Sequence, residues 1–141
     1  MSQETSNKNL MLTVLAAFQD GDLGPLFDAL SPEVVWTATA PPEFFRFGGV
    51  FKGVPGIKEY IALLLSRYHF TRFEPKLVTA HQDEVWGLFD VEALYQPSSR
   101  HVRFDLFIRW TMKDGKIIAH QCLFDTAGVL VQQGDLPAKV A

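Results

Sequence analysis

Residues 103–112 sort their side chains into two faces. Phe104, Leu106, Ile108 and Trp110 fall on one side; Arg103, Asp105, Phe107, Arg109 and Thr111 fall on the other. Successive strand side chains point to opposite faces of a sheet, so this period of two predicts one apolar and one charged surface. Residues 85–95 repeat it, with Val85, Gly87, Phe89, Val91 and Ala93 set against Trp86, Leu88, Asp90, Glu92 and Leu94. Helical periods come earlier. Leu10, Met11, Val14, Leu15 and Phe18 mark a first helix that Asp20-Gly21 stops. Asp22 and Pro25 open a short second one, with Leu26, Phe27 and Leu30 on its inner face. Pro55 starts a third, whose stripe is Ile57, Tyr60, Ile61, Leu64, Leu65 and Tyr68.

The remaining β-rich runs predict strands over residues 34–39, 70–80 and 117–125, with a Gly/Phe-rich loop or hairpin over 44–53. Asp114-Gly115 is a two-residue hairpin signal, so the last two strands should run antiparallel. Helices first and antiparallel strands later predict an α+β fold with a curved sheet around an apolar interior. The chain reads as one domain over 10–133. A polar stretch over 1–9 is expected to be disordered, and 134–141 forms a weakly patterned tail.

Composition narrows the function. At 141 residues the chain can bury roughly 70% of its unfolded surface without disulfide or metal. A net charge of −3 gives no electrostatic footprint for nucleic acid or an anionic membrane. The single Cys122 excludes an internal disulfide and a multi-cysteine zinc site. No histidine pair has metal-ligand spacing, so neither a metal nor another cofactor is expected. No apolar run of about 18 residues and no leader pattern is present, which makes a cytoplasmic protein the expectation. Twelve phenylalanines among 13% aromatic residues raise the question of a lined cavity.

The element order, the Gly-Asp between the first two helices, the FKGVPGIKEYI loop-to-helix step and the DGKI hairpin followed by Asp125 resemble the nuclear transport factor 2-like superfamily, within it the SnoaL-like and ketosteroid-isomerase-like group. The resemblance covers about residues 10–133. It implies a cone in which three helices close the concave side of a strongly bent antiparallel sheet, leaving an apolar pocket. It also implies a homodimer through the sheet's outer face. The fold hosts many chemistries, so each must be tested on residues. A steroid-isomerase carboxylate base falls on Ala38, its tyrosine near Val14 and its second acid around Phe107 and Ile108, none of which can act. The polar set of limonene-type epoxide hydrolases falls on Trp36, Ala38, Phe89, Val91 and Cys122, and is lost. In the cyclase pattern, Asp125 lies near the recurrent acidic position and His120 on the same strand. Their parity differs, so sharing a pocket needs a bulge.

Small-molecule proton transfer of the isomerase, lyase or cyclase type is therefore the enzyme expectation, with catalytic His120 and Asp125. The competing readings are a non-catalytic ligand-binding or dimerisation module and a transport adaptor. Buried His120 is either a general base or a satisfied core histidine, and Cys122 either a nucleophile or a small buried hydrophobe. Arg46, among Phe44, Phe45 and Phe47, is either a clamp for a ligand carboxylate or carbonyl at the cavity mouth or a cation stacked on loop aromatics. The expected lining for a small hydrophobic ligand is Trp36, Arg46, Tyr60, Phe89, Val91, Phe104, Leu106, Ile108, Trp110, Cys122 and Phe124. The ionic residues of the opposite face should form cross-strand pairs.

Overall fold

The alternation in the late strands sets the architecture. In the computed structural model, which describes residues 2–137, the elements are α1 (Gln3–Gln19), α2 (Gly24–Ala29), β1 (Leu30–Ala38), β2 (Gly49–Lys52), α3 (Gly53–Leu65), β3 (Tyr68–His81), β4 (Glu84–Tyr95), β5 (Arg100–Lys113), β6 (Lys116–Leu123) and α4 (Thr126–Gln132). The strands form one strongly curved sheet in the order β2-β1-β6-β5-β4-β3. The fold class is α+β, as expected. Residues 138–141 of the expected tail lie outside the described residues.

Three expectations change. Helix α1 begins at Gln3, so most of the stretch expected to be disordered is helical. Ser2 Oγ accepts the Thr5 backbone N–H at 3.1 Å and Asn7 is buried, so capping and packing outweigh the polar composition. The sheet is mixed, because β1 runs parallel to β6 with Trp36 beside His120 and Ala38 beside Cys122. No short turn joins these two strands, so nothing local forces them antiparallel. The last strand stops at Leu123 rather than 125. Asp125 caps an additional helix, α4, its Oδ1 accepting the Gly128 N–H at 2.9 Å.

Helix α4 also finishes the sheet. The β5–β6 register ends at Phe107 opposite Leu123, leaving the backbone beyond without a strand partner there. The Gln132 amide takes that place at Arg103: Oε1 accepts its N–H at 2.7 Å and Nε2 donates to its carbonyl at 2.9 Å. The β5–β6 turn has φ of 50° at Asp114 and 73° at Gly115, the left-handed pair that a two-residue hairpin requires.

The two faces divide as the alternation predicts. Val85 pairs with Trp110, Gly87 with Ile108, Phe89 with Leu106 and Val91 with Phe104, all on the helix-covered side. On the other side, Arg103 bridges Asp90 (3.1 Å) and Glu92 (3.3 Å), Arg72 reaches the same two carboxylates, and Lys76 bonds Asp105 at 2.8 Å. Among the described residues no helix is long and apolar enough to cross a membrane.

Candidate functional site

Cross-sheet rows on the inner face build the site. One row reads Trp36–His120–Trp110–Val85, from β1 through β6 and β5 to β4. Direct neighbours across the ladder stack. The Trp36 and His120 rings lie 3.6 Å apart and 3° from parallel, with Trp110 6.2 Å away on the other flank. Tyr60, projecting from α3, packs on Trp36 at 5.7 Å. The next row carries shorter side chains, Ala38–Cys122–Ile108–Gly87. A Cβ at Gly87 would press on the Phe89 ring, so only glycine lets that ring lie there.

Above these rows is a cavity of about 120 Å³. Helix α1 closes it with Met11, Val14, Leu15 and Phe18, α3 with Tyr60, Ile61 and Leu64, and α4 with Val129. No Asp, Glu, Lys or Arg lines it. Its polar groups belong to His120, Trp36, Cys122, Tyr60 and Tyr68. The Trp36 Nε1 and His120 Nδ1 atoms are buried and make no well-formed hydrogen bond.

Burial fixes the charge state of this set. It pushes the His120 pKa down from 6.5 to about 3, and backbone groups of Thr37 and His120 itself offset this only in part. Burial pushes the Cys122 thiol up to about 11 against the opposing Thr39 backbone, which makes it a packed hydrophobe rather than a nucleophile. Burial also raises Tyr60, with the Cys122 charge adding to the rise and the Trp36 indole opposing it; Tyr68 rises chiefly from burial too. The cavity is therefore neutral near pH 7. His120 is a weak proton acceptor there, not a base poised near neutrality.

Of the expected site residues, Trp36, Tyr60, Phe104, Leu106, Ile108, Trp110, His120, Cys122 and Phe124 line the cavity. Four do not. Asp125 is exposed at the start of α4, held by its cap, so no bulge pairs it with His120. Phe89 and Val91 are fully buried beneath the lining; Phe89 is wedged between Phe73 at 5.0 Å and Trp110 at 6.1 Å. Arg46 is exposed on the far side of Phe47, in a separate surface depression. The expected lining left out the helix residues Met11, Val14, Leu15, Phe18, Leu26, Ile61, Leu64 and Leu65, which were read only as core stripes, together with Phe47, Tyr68, Phe70, Phe73 and Val129. The Asp125 cap signal followed by Val129 and Leu130 was the available clue to the last. No group of three His, Cys, Asp or Glu among the described residues could hold a metal.

The comparisons agree with the fold. TerC, whose structure was determined co-crystallised with polyporic acid, is 25% identical, with a TM-score of 0.82 over 92% of this chain and 98% of its own. A nuclear transport factor 2-like protein of unknown function from Burkholderia pseudomallei is 20% identical, with a TM-score of 0.83 over 94% and 98%. A protein with a ketosteroid isomerase-like fold from Catenulispora acidiphila, solved in complex with trimethylamine, is 14% identical, with a TM-score of 0.75 over 94% and 96%. No curated protein sequence matches the chain. The SnoaL-like domain profile matches residues 12–120. With its helix-covered sheet and its apolar cone, the chain belongs to the SnoaL-like family of the nuclear transport factor 2-like superfamily.

Proposed function

We propose that the cone binds a small, mostly apolar ring compound that presents one neutral polar group to Trp36 and His120. The observation that carries this reading is an otherwise apolar wall on which Trp36 Nε1 and His120 Nδ1 are buried without a well-formed hydrogen bond. Buried polar groups in a purely structural core are nearly always paired, and each one left unpaired costs about 1–3 kcal/mol. A ligand carbonyl or hydroxyl restores the missing bonds. A cavity of about 150 Å³ takes up benzene in another protein, so this one is sized for a single ring. The co-crystallisation of TerC with polyporic acid supports ligand binding by this fold. In an isomerase, lyase or cyclase reaction, the Trp36 indole N–H polarises a carbonyl; His120 does not strip a proton, because it holds one so weakly.

Titration with toluene, benzaldehyde and phenol, followed by calorimetry, tests this. Trp36→Phe removes a donor and should weaken benzaldehyde about fivefold while sparing toluene. His120→Phe should weaken phenol by a similar factor. Asp125→Ala should leave all three unchanged and cost about 1 kcal/mol of stability as a lost helix cap. Failure of all three compounds to bind, or polar preferences unaltered by both aromatic substitutions, rules the reading out.

We further propose that the outer face of the sheet pairs with a second copy of the chain. Leu77, Leu88, Phe107 and Leu123 stand in one register row across β3, β4, β5 and β6. Leu77, Phe107 and Leu123 are each about half exposed or more. Charged groups of both signs flank the row, as a two-fold, self-complementary contact needs. Phe107→Lys should move the sedimentation profile toward monomer. A wild-type protein that already sediments as a monomer excludes the dimer.

A further inference from the structure

Three surface depressions border the cavity, and a pair of packed rings stands in each shared wall. Phe47 and Tyr68, their rings 5.8 Å apart, separate it from the depression beside Arg46. Phe104 and Phe124, 5.2 Å apart, separate it from one beside Asp125. Phe18 and Phe73, edge-to-face at 5.0 Å, stand before the third, a depression of about 630 Å³ between the end of α1 and β3. Rings in contact leave no gap for a small molecule, so a ligand that reaches Trp36 and His120 through one of these walls must part its rings.

Two of the walls are tied down. The loop that carries Phe47 is closed by its own backbone bonds, and the Tyr68 hydroxyl donates to Gln133 Oε1 at 2.6 Å inside the protein. Phe104 follows Arg103, whose N–H and carbonyl are both held by Gln132, and Phe124 also packs on Phe45 at 5.6 Å. The third wall is made of an end and an edge. Phe18 lies in the last turn of α1, just before Gly21 turns the chain at φ 80°. Phe73 lies on β3, an edge strand whose ladder is with β4. Register shifts between Phe70 and Arg72 and between Pro75 and Leu77 interrupt that ladder on both sides of Phe73. Beside these rings Phe70 is half-buried, and Leu65, the last residue of α3, is 44% exposed. A side-chain hydrogen bond spans the wall: exposed Gln19 donates from Nε2 to the Phe73 carbonyl.

We infer that the Phe18–Phe73 wall is the passage into the cavity and that Gln19 is its latch. An edge strand with an interrupted ladder shifts at small cost, because no second ladder breaks with it, and the last turn of a helix opens more readily than its middle. When the Gln19 bond to β3 breaks, the Phe18 and Phe73 rings separate toward the depression and the ligand passes between them. The occupant is the neutral ring compound proposed above. The inference rests on that reading and adds to it the route and the residue that sets the rate. Gln19 borders the depression but does not line the cavity, so it acts on passage and not on the bound ligand.

Exchange of toluene, followed by line shapes and saturation transfer of its methyl protons, tests this on the whole protein, with the dissociation constant taken from calorimetry. Gln19→Ala removes the latch and should raise the association and dissociation rates together by about fivefold, as the loss of one hydrogen bond allows. The dissociation constant should stay at its wild-type value, because opening enters both directions alike. Gln19→Glu, which keeps the length and loses the donor, should act in the same way at pH 7.5. Gln132→Ala cuts the bonds that steady the Phe104 wall and should leave both rates as they are. Rates unmoved by Gln19→Ala, or raised by Gln132→Ala instead, overturn the passage while the bound toluene leaves the cavity reading standing. If toluene does not bind the wild-type protein, both readings fall together.

Discussion

Acidification should destabilise this protein steeply, and replacing His120 should blunt the loss. The sign follows from linkage. The folded-state pKa of about 3 lies below the ordinary 6.5, so the unfolded chain takes up the proton first. The contribution of the neutral imidazole is complete above pH 6.5, falls as the pH drops below that value, and is exhausted near pH 3. The slope is slightly more than 1 kcal/mol per pH unit, roughly 5 kcal/mol over the whole window. That is comparable with the entire stability of many domains. Urea midpoints measured at pH 7.5, 6, 5 and 4 give the check. His120→Phe keeps a ring on Trp36 and removes the titration, while all other groups titrate alike in both proteins. Parallel stability curves for the two would show that the imidazole is not buried as described.

Gly48→Ala should cost about 3 kcal/mol or more, the upper part of the range for forced overpacking. The loop between β1 and β2 folds back on itself: the Phe44 and Phe45 N–H groups bond the Pro41 carbonyl, and the Gly48 N–H bonds that of Phe45. A Cβ at Gly48 would overlap the Ala40 carbonyl oxygen and lie 3.1 Å from that of Phe45. Both neighbours are backbone, so no side chain can swing aside. The loop carries Phe47 into the cavity wall, and its displacement should weaken toluene binding as well. Thermal melts and the calorimetric titration read the two effects separately. A melt like that of the wild type would mean that the loop yields easily.

The strand pairing and its inner face were legible because side-chain alternation is local. Residues 85–95 and 103–112 carry it without interruption, and Asp114-Gly115 fixes the turn between the last two strands. Trp36, His120 and Cys122 could be placed inside on parity alone. Asp125 could not, because its place on β6 was extrapolated past the point where the strand ends and a helix cap takes over. Phe89 and Val91 have the right parity yet are covered by other side chains. A period of two says which way a residue points, but not what lies on top of it. Arg46 was assigned to the cavity mouth from its aromatic neighbours; Phe47 stands between it and the interior.

The sequence by itself determined the first three helices, the late strands and which face of those strands meets water. Periods of 2 and 3.6 residues are properties of a few consecutive side chains. Tertiary structure alone decided the parallel β1–β6 pairing that stacks Trp36 on His120, and the neutral cavity with its two poorly bonded polar atoms. Those depend on residues far apart in the chain meeting in one place, and on how much water their meeting excludes. Proton affinities and open space follow from that exclusion, so no local pattern encodes them.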